Sequence, residues 1–95
     1  SKLVGGEEIG VFKVHQFQAQ LMERANEAQQ RFSPQERYIT TKTITASRQN
    51  LQRITKLAQQ FSRDVDAISH ADNSPEQVYQ FNIQYFPLSN LKGDL

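Results

Sequence analysis

The sequence contains no cysteine and no long apolar run, and its charges nearly cancel. Without cysteine the chain can form neither a disulfide framework nor a reactive thiolate, which suits a reducing cytoplasm. No apolar stretch approaches the ~18 residues that span a bilayer, and residues 1–10 lack a signal-peptide hydrophobic segment. A formal charge of +1 creates no overall field that would attract nucleic acid or an anionic membrane. We therefore expect a cytoplasmic protein that does not bind membranes.

Motifs that carry catalysis or bind metals are missing too. There is no GxSxG element and no glycine loop that would cradle a phosphate. The only histidines, His15 and His70, do not form an HxxxH or HxH array that would place two metal ligands on one face. No acidic pair can be placed beside the aromatic stretch described next. We therefore predict that the chain is not an enzyme and holds no metal and no cofactor.

The stretch with the clearest pattern is residues 78–86, in which apolar and polar side chains alternate. Tyr79, Phe81, Ile83 and Tyr85 point to one side, and the residues between them are amides. Aromatic and β-branched residues with a period of two are typical of a half-buried β-strand, which Pro87 would end. A second strand is predicted over residues 37–46, but the pattern does not determine its inward face.

Two amphipathic helices are predicted beside these strands. In the first, from residue 11 to about residue 32, apolar residues such as Phe17 and Leu21 recur every three or four positions. Ser33 and Glu36 then have the spacing of a capping box, which predicts one helical turn. The second helix has Ser47 as its N-cap and runs from about residue 48 to about residue 69. Its apolar residues repeat at 3-4-3-4-3 spacing: Leu51, Ile54, Ala58, Phe61, Val65 and Ile68.

The order helix, strand, helix, strand predicts an α+β fold with two layers, in which two long amphipathic helices pack on one face of a small sheet. Two strands with a polar outer face are not stable alone, so we expect dimerisation to complete the sheet, with cover by another domain of a longer protein as the alternative. Residues 1–10 are predicted to be a linker from a missing N-terminal region, residues 11–90 a single α/β domain, and residues 91–95 a polar tail. We expect Phe61 to contact Phe81. The predicted core is Phe17, Leu21, Phe32, Leu51, Ile54, Ala58, Phe61, Val65, Ile68, Tyr79, Phe81, Ile83 and Tyr85.

The polar side of the second helix carries a basic stripe, defined as Arg48, Arg53, Lys56 and Arg63. Its charges lie toward the helix N-terminus, where the macrodipole disfavours cations, so stability alone does not explain them. Binding of nucleic acid or of an acidic partner has a physical motive here. A solvated face is the simpler interpretation, because no aromatic residues alternate with the basic ones to stack on bases. The stripe is the candidate interaction surface.

Three stretches, residues 17–25, 31–37 and above all 78–89 (VYQFNIQYFPLS), resemble the C-terminal part of a known family. It is the Fibrobacter-type paralogous family of uncharacterised bacterial transcriptional regulators, and the resemblance covers roughly residues 3 to 90. Members are longer and carry helix-turn-helix-like or winged-helix-like regions before this part, so the resemblance implies that the DNA-reading half is absent here. It supplies no catalytic or ligand residues. Lys42 departs from the aliphatic residue expected on the first strand.

The resemblance and the incomplete sheet together imply a C-terminal dimerisation or signal-receiving domain of a bacterial transcriptional regulator. A protein-interaction module that docks another protein is the alternative, and direct nucleic-acid contact by the basic stripe is a weaker one. As partners we expect a second copy of the chain and a covalently linked DNA-binding region in the parent protein. We expect no membrane contact, and no nucleic acid bound to this chain alone.

Overall fold

The computed structural model describes residues 6–89, with side chains from residue 10 onward. Its regular structure consists of two α-helices, α1 (Gly6–Arg31) and α2 (Arg48–Ala71). These residues fall into two compact units, one that ends at Thr41 and one that begins at Lys42. Neither helix of this part of the chain has a stretch long and apolar enough to cross a membrane. The fold over the described range is helical.

Residues 6–89 contain no β-strand and no sheet, so the predicted α+β fold is wrong. The two predicted strands, residues 37–46 and 78–86, are indeed not helical. Within the described range, however, their backbones form no hydrogen-bonded ladder with another segment. A strand requires such a ladder, and alternation of side chains along one segment does not provide it. With no sheet, there is also no face on which the two helices could pack as predicted.

Helix α1 begins earlier than its apolar pattern. The predicted linker over residues 1–10 overlaps it, because residues 6–10 are helical, whereas residues 1–5 lie outside the described range. Once a helix is nucleated, each further residue costs little, so Gly6 and Gly10 do not stop it. The polar tail predicted over residues 91–95 also lies outside the described residues. At its other end α1 stops at Arg31, one residue before the predicted limit.

One turn of backbone follows α1, and side chains hold it. The Glu36 N–H donates to the Ser33 carbonyl (2.9 Å), and the Ser33 N–H donates to Glu36 Oε1 (3.0 Å). These bonds confirm the predicted capping-box contact between the two residues. The backbone N–H of Ser33, and then its hydroxyl, hold the pKa of the Glu36 carboxyl below its ordinary value of 4.5. Arg37 Nε donates to the Phe32 carbonyl (3.0 Å) and so satisfies an acceptor near the helix end.

The ends of α2 are fixed by side chains as well. Ser47 is the N-cap, as predicted, and its hydroxyl accepts a hydrogen bond from the Asn50 N–H at 3.1 Å. The helix ends at Ala71, two residues beyond the predicted limit. The Asp72 N–H donates to the Ser69 carbonyl (3.2 Å), and the Asp72 carboxylate accepts from the Ser74 N–H (3.0 Å). These bonds turn the chain away from the helix axis toward residues 78–86.

Candidate interaction surface

The aromatic segment, defined as residues 78–86, lies along one side of α2. The Phe81 ring meets the Phe61 ring edge to face, with centroids 5.4 Å apart and planes at 90°. The hydroxyls of Tyr85 and Thr55 are hydrogen-bonded, and the tyrosine donates, because Thr55 gives its own proton to the Leu51 carbonyl (3.0 Å). The segment thus runs antiparallel to α2, and the predicted contact between Phe61 and Phe81 is confirmed.

A cavity of about 350 Å³ lies between α2 and the aromatic segment. Val65, Phe81 and Ile83 supply its apolar wall, and Ser62 and Asp66 supply a hydroxyl and a carboxylate. Residues two apart in the segment therefore face the helix together, which keeps the predicted period of two without a sheet. Ligand sites usually enclose most of their ligand, and this cavity is partly open to solvent. We assign no ligand to it.

No residue from 10 to 89 is buried. Four of the thirteen predicted core residues are half-buried: Leu21, Ile54, Ala58 and Val65. The other nine are exposed: Phe17, Phe32, Leu51, Phe61, Ile68, Tyr79, Phe81, Ile83 and Tyr85. The second unit brings Phe61 and Phe81 into contact, but the described chain does not enclose them. Their role as a core stays a prediction that requires further cover.

The aromatic segment leaves the other side of the α2 apolar arc largely uncovered, although Phe61, at the boundary, contacts Phe81 with part of its ring. We call this side the exposed strip and define it as Leu57, Phe61 and Ile68. These side chains are 70%, 50% and 74% exposed, respectively. At about 100° per residue they fall within roughly 40° of one another around the helix axis. A line of apolar side chains on a well-formed helix is typical of a surface that packs against another helix.

A protein-family profile matches residues 1–88, which include α1, α2 and the aromatic segment. The chain belongs to DUF4423, a domain of unknown function. Comparison of this DUF4423 chain with curated proteins and with solved structures gives no match. Membership in DUF4423 therefore identifies the domain and leaves its function to be argued from its surface.

The basic stripe of the DUF4423 chain remains on the polar face of α2. Arg53 Nη1 donates to Asn50 Oδ1 (3.4 Å), and Arg63 Nη2 donates to Gln60 Oε1 (2.9 Å). Gln60 Nε2 in turn donates to Asp64 Oδ1 (2.8 Å). The other two members of the stripe are exposed, and the first turn of α2 contains no acidic residue. Hydrogen bonds to neutral amides of the same helix are typical of a solvated face, and binding by the stripe stays a prediction.

Sequence reasoning missed the polar contacts of α2 with the aromatic segment. Thr55 and Ser62 lie seven residues apart, on the edge of the apolar stripe that the segment covers. Hydroxyl residues at heptad spacing beside an apolar stripe are a signal that could have located this edge. His70 Nδ1 donates to the Asp66 carbonyl (2.7 Å). Among residues 10–89, whose side chains the structure describes, no three side chains of the metal-binding types lie close enough together to hold an ion.

Proposed function

We propose that this DUF4423 chain is a self-association domain of a bacterial transcriptional regulator that acts in the cytoplasm. The observation that carries the proposal is the lack of any buried residue between positions 10 and 89, together with the exposed strip on α2. Removing apolar surface from water contributes about 25 cal/mol per Å², so uncovered aromatic and aliphatic side chains favour contact with a second surface. A second copy of the chain carries the same apolar surface, so a symmetric contact between two copies can cover both.

The regulatory part of the proposal rests on the resemblance of residues 78–89 and the two supporting stretches to the Fibrobacter-type family. In that arrangement the DNA-reading region is a different part of the parent protein, and this domain brings two copies together. A formal charge of +1 agrees with this division of labour, because a DNA-reading domain normally carries a clear excess of positive charge. The proposed domain carries out no catalytic step.

Sedimentation equilibrium of the chain tests self-association. Between ~1 and ~200 μM we expect the mass to rise from the 10.9 kDa of one chain toward twice that value, as mass action requires of a weak homodimer. Leu57→Asp should shift this transition to higher concentration, because it places a charge in the exposed strip. Lys56→Asp is the matched control, since it changes the neighbouring residue on the polar face and should leave the transition in place.

Two results would contradict the proposal. If the chain remains monomeric throughout this range and still unfolds cooperatively, it is stable without a second copy and the proposal is wrong. A chain that remains monomeric and unfolds without cooperativity would point to docking of a different protein on the same surface.

A further inference from the structure

The exposed strip of α2 has charged residues along one edge. On a helical wheel Arg53 and Asp64 lie on the same side of Leu57, within about 40° of it, and they are three turns apart, or about 16 Å along the axis. Their hydrogen bonds go to the amides of Asn50 and Gln60, so neither bond neutralises a charge. The strip thus has a positive end and a negative end on one edge.

We infer that two copies of this chain pair their α2 helices antiparallel through the exposed strip, with Arg53 of each copy beside Asp64 of the other. The inference rests on the proposed self-association and specifies its geometry. The two copies are related by a two-fold axis perpendicular to the plane that contains both helices. This symmetry places the charged edge of one strip against the charged edge of the other, and the two edges run in opposite directions. When Leu57 lies opposite the second copy's Phe61, Arg53 comes within one residue, about 1.5 Å along the axis, of the second copy's Asp64.

The charges distinguish this arrangement from the parallel one. In a symmetric parallel pair the two-fold axis runs along the helices and places the charged edge of one strip against the uncharged edge of the other, so Arg53 and Asp64 would form no ion pair. In the antiparallel pair Arg53 faces Asp64, and the two-fold symmetry produces this attractive contact twice. The opposite side of the α2 arc is not available, because Tyr85 is hydrogen-bonded to Thr55 there and Ile83 lines a cavity beside Val65.

Charge reversal tests the pairing. Arg53→Asp and Asp64→Arg should each weaken self-association about tenfold, because each homodimer then has two like-charge contacts in place of two ion pairs. An equimolar mixture of these two variants should associate as tightly as the parent, since a base faces an acid at both contacts of the mixed dimer. Arg63→Asp is the control, because it makes the same charge change on the far side of α2 and should not weaken association. Circular dichroism verifies that each variant keeps its helix content.

Cross-linking tests the direction independently, because the chain has no cysteine of its own. In the antiparallel register Asn50 lies opposite the second copy's Ile68. A mixture of the Asn50→Cys and Ile68→Cys variants should therefore form a disulfide-linked dimer on mild oxidation, whereas neither variant alone should. Like positions would be about 27 Å apart along the axis, far beyond the reach of a disulfide.

The outcomes separate this inference from the proposed function. If the parent chain dimerises but both charge reversals leave its affinity unchanged, or if each cysteine variant cross-links to itself, the antiparallel pairing is wrong and self-association stands. If the parent chain is monomeric throughout the tested range, both are wrong. Weakening by each reversal, recovery in the mixture and cross-linking only between the two cysteine variants would together establish the pairing.

Discussion

Alanine substitution of Phe61 and Phe81, singly and together, measures how firmly the aromatic segment is held on α2. Truncating a fully buried phenylalanine costs about 3–5 kcal/mol, but these rings are 50% and 53% exposed, so we expect about 2 kcal/mol for each single variant. The edge-to-face contact at 5.4 Å should contribute about 1 kcal/mol beyond burial. The double variant loses that contribution only once, so its cost should be about 1 kcal/mol smaller than the sum.

Urea unfolding followed by circular dichroism supplies the four free energies of this cycle. The protein concentration must be the same in every experiment, because the proposed self-association would make the free energy of unfolding depend on concentration. The same cycle with Phe61 and Phe86 is the control, since Phe86 is the same residue type in the same segment and should be additive to within about 0.5 kcal/mol. If Phe61 and Phe81 are also additive, the segment does not dock on α2 in solution and the contact is refuted.

Three further predictions concern the caps and the basic stripe. Ser47→Ala should lower the free energy of unfolding by about 1 kcal/mol in thermal denaturation, and Ser47→Asp should keep it, because only the latter retains an acceptor for the helix N-terminus. The pKa of Glu36 is lower in the folded chain than its ordinary value of 4.5, so the ionised carboxylate stabilises the turn. This stabilisation is complete above pH 4.5, and it is lost as the pH falls through the pKa of the folded state. The amide resonance of Ser33 should follow that titration by NMR, and Glu36→Gln should abolish the change; a pH-independent resonance in the parent would contradict it. Duplex DNA titrated with the chain at ~150 mM salt should show no binding. Binding through all four residues of the basic stripe would contradict this; the logarithm of its association constant would fall with the logarithm of salt concentration with a slope of about −3.6. Replacing the four residues with glutamine would then remove the binding.

The helices could be predicted from the sequence because the signals that define them are local. Apolar residues three and four positions apart identify a helix face, and a serine before such a pattern identifies its start. Ser47 therefore gave the first residue of α2 correctly, and the central positions of Phe61 and Phe81 in their segments predicted their contact. The early start of α1 was missed because Gly6 and Gly10 resemble a linker in composition, although a glycine already next to a helix can extend it.

The sheet was predicted wrongly because alternation reports exposure and carries no information about hydrogen-bond partners. A segment whose alternate residues face a helix has the same pattern as a strand whose alternate residues face a core. In residues 78–86 the partial cover comes from α2, where Phe81 and Ile83 line a cavity together with Val65, and the backbone needs no neighbouring strand to produce that pattern. The candidate site was predicted in part. The six apolar residues of α2 were identified from their spacing, but which of them the aromatic segment covers and which it leaves exposed depends on tertiary contacts.

Uncovered side chains such as Leu57 and Ile68 also bear on how long the chain survives in a cell. Chaperones and proteases recognise unfolded proteins by exposed apolar surface, and an unassembled copy of this chain presents such surface even when its helices are formed. We therefore expect the half-life of the chain, measured by pulse-chase labelling, to lengthen with its expression level until assembly is complete. Leu57→Asp should move that dependence to higher expression levels, because the variant assembles only at higher concentration. Dimerisation would then determine how much of the protein accumulates in the cell, in addition to covering its apolar surface.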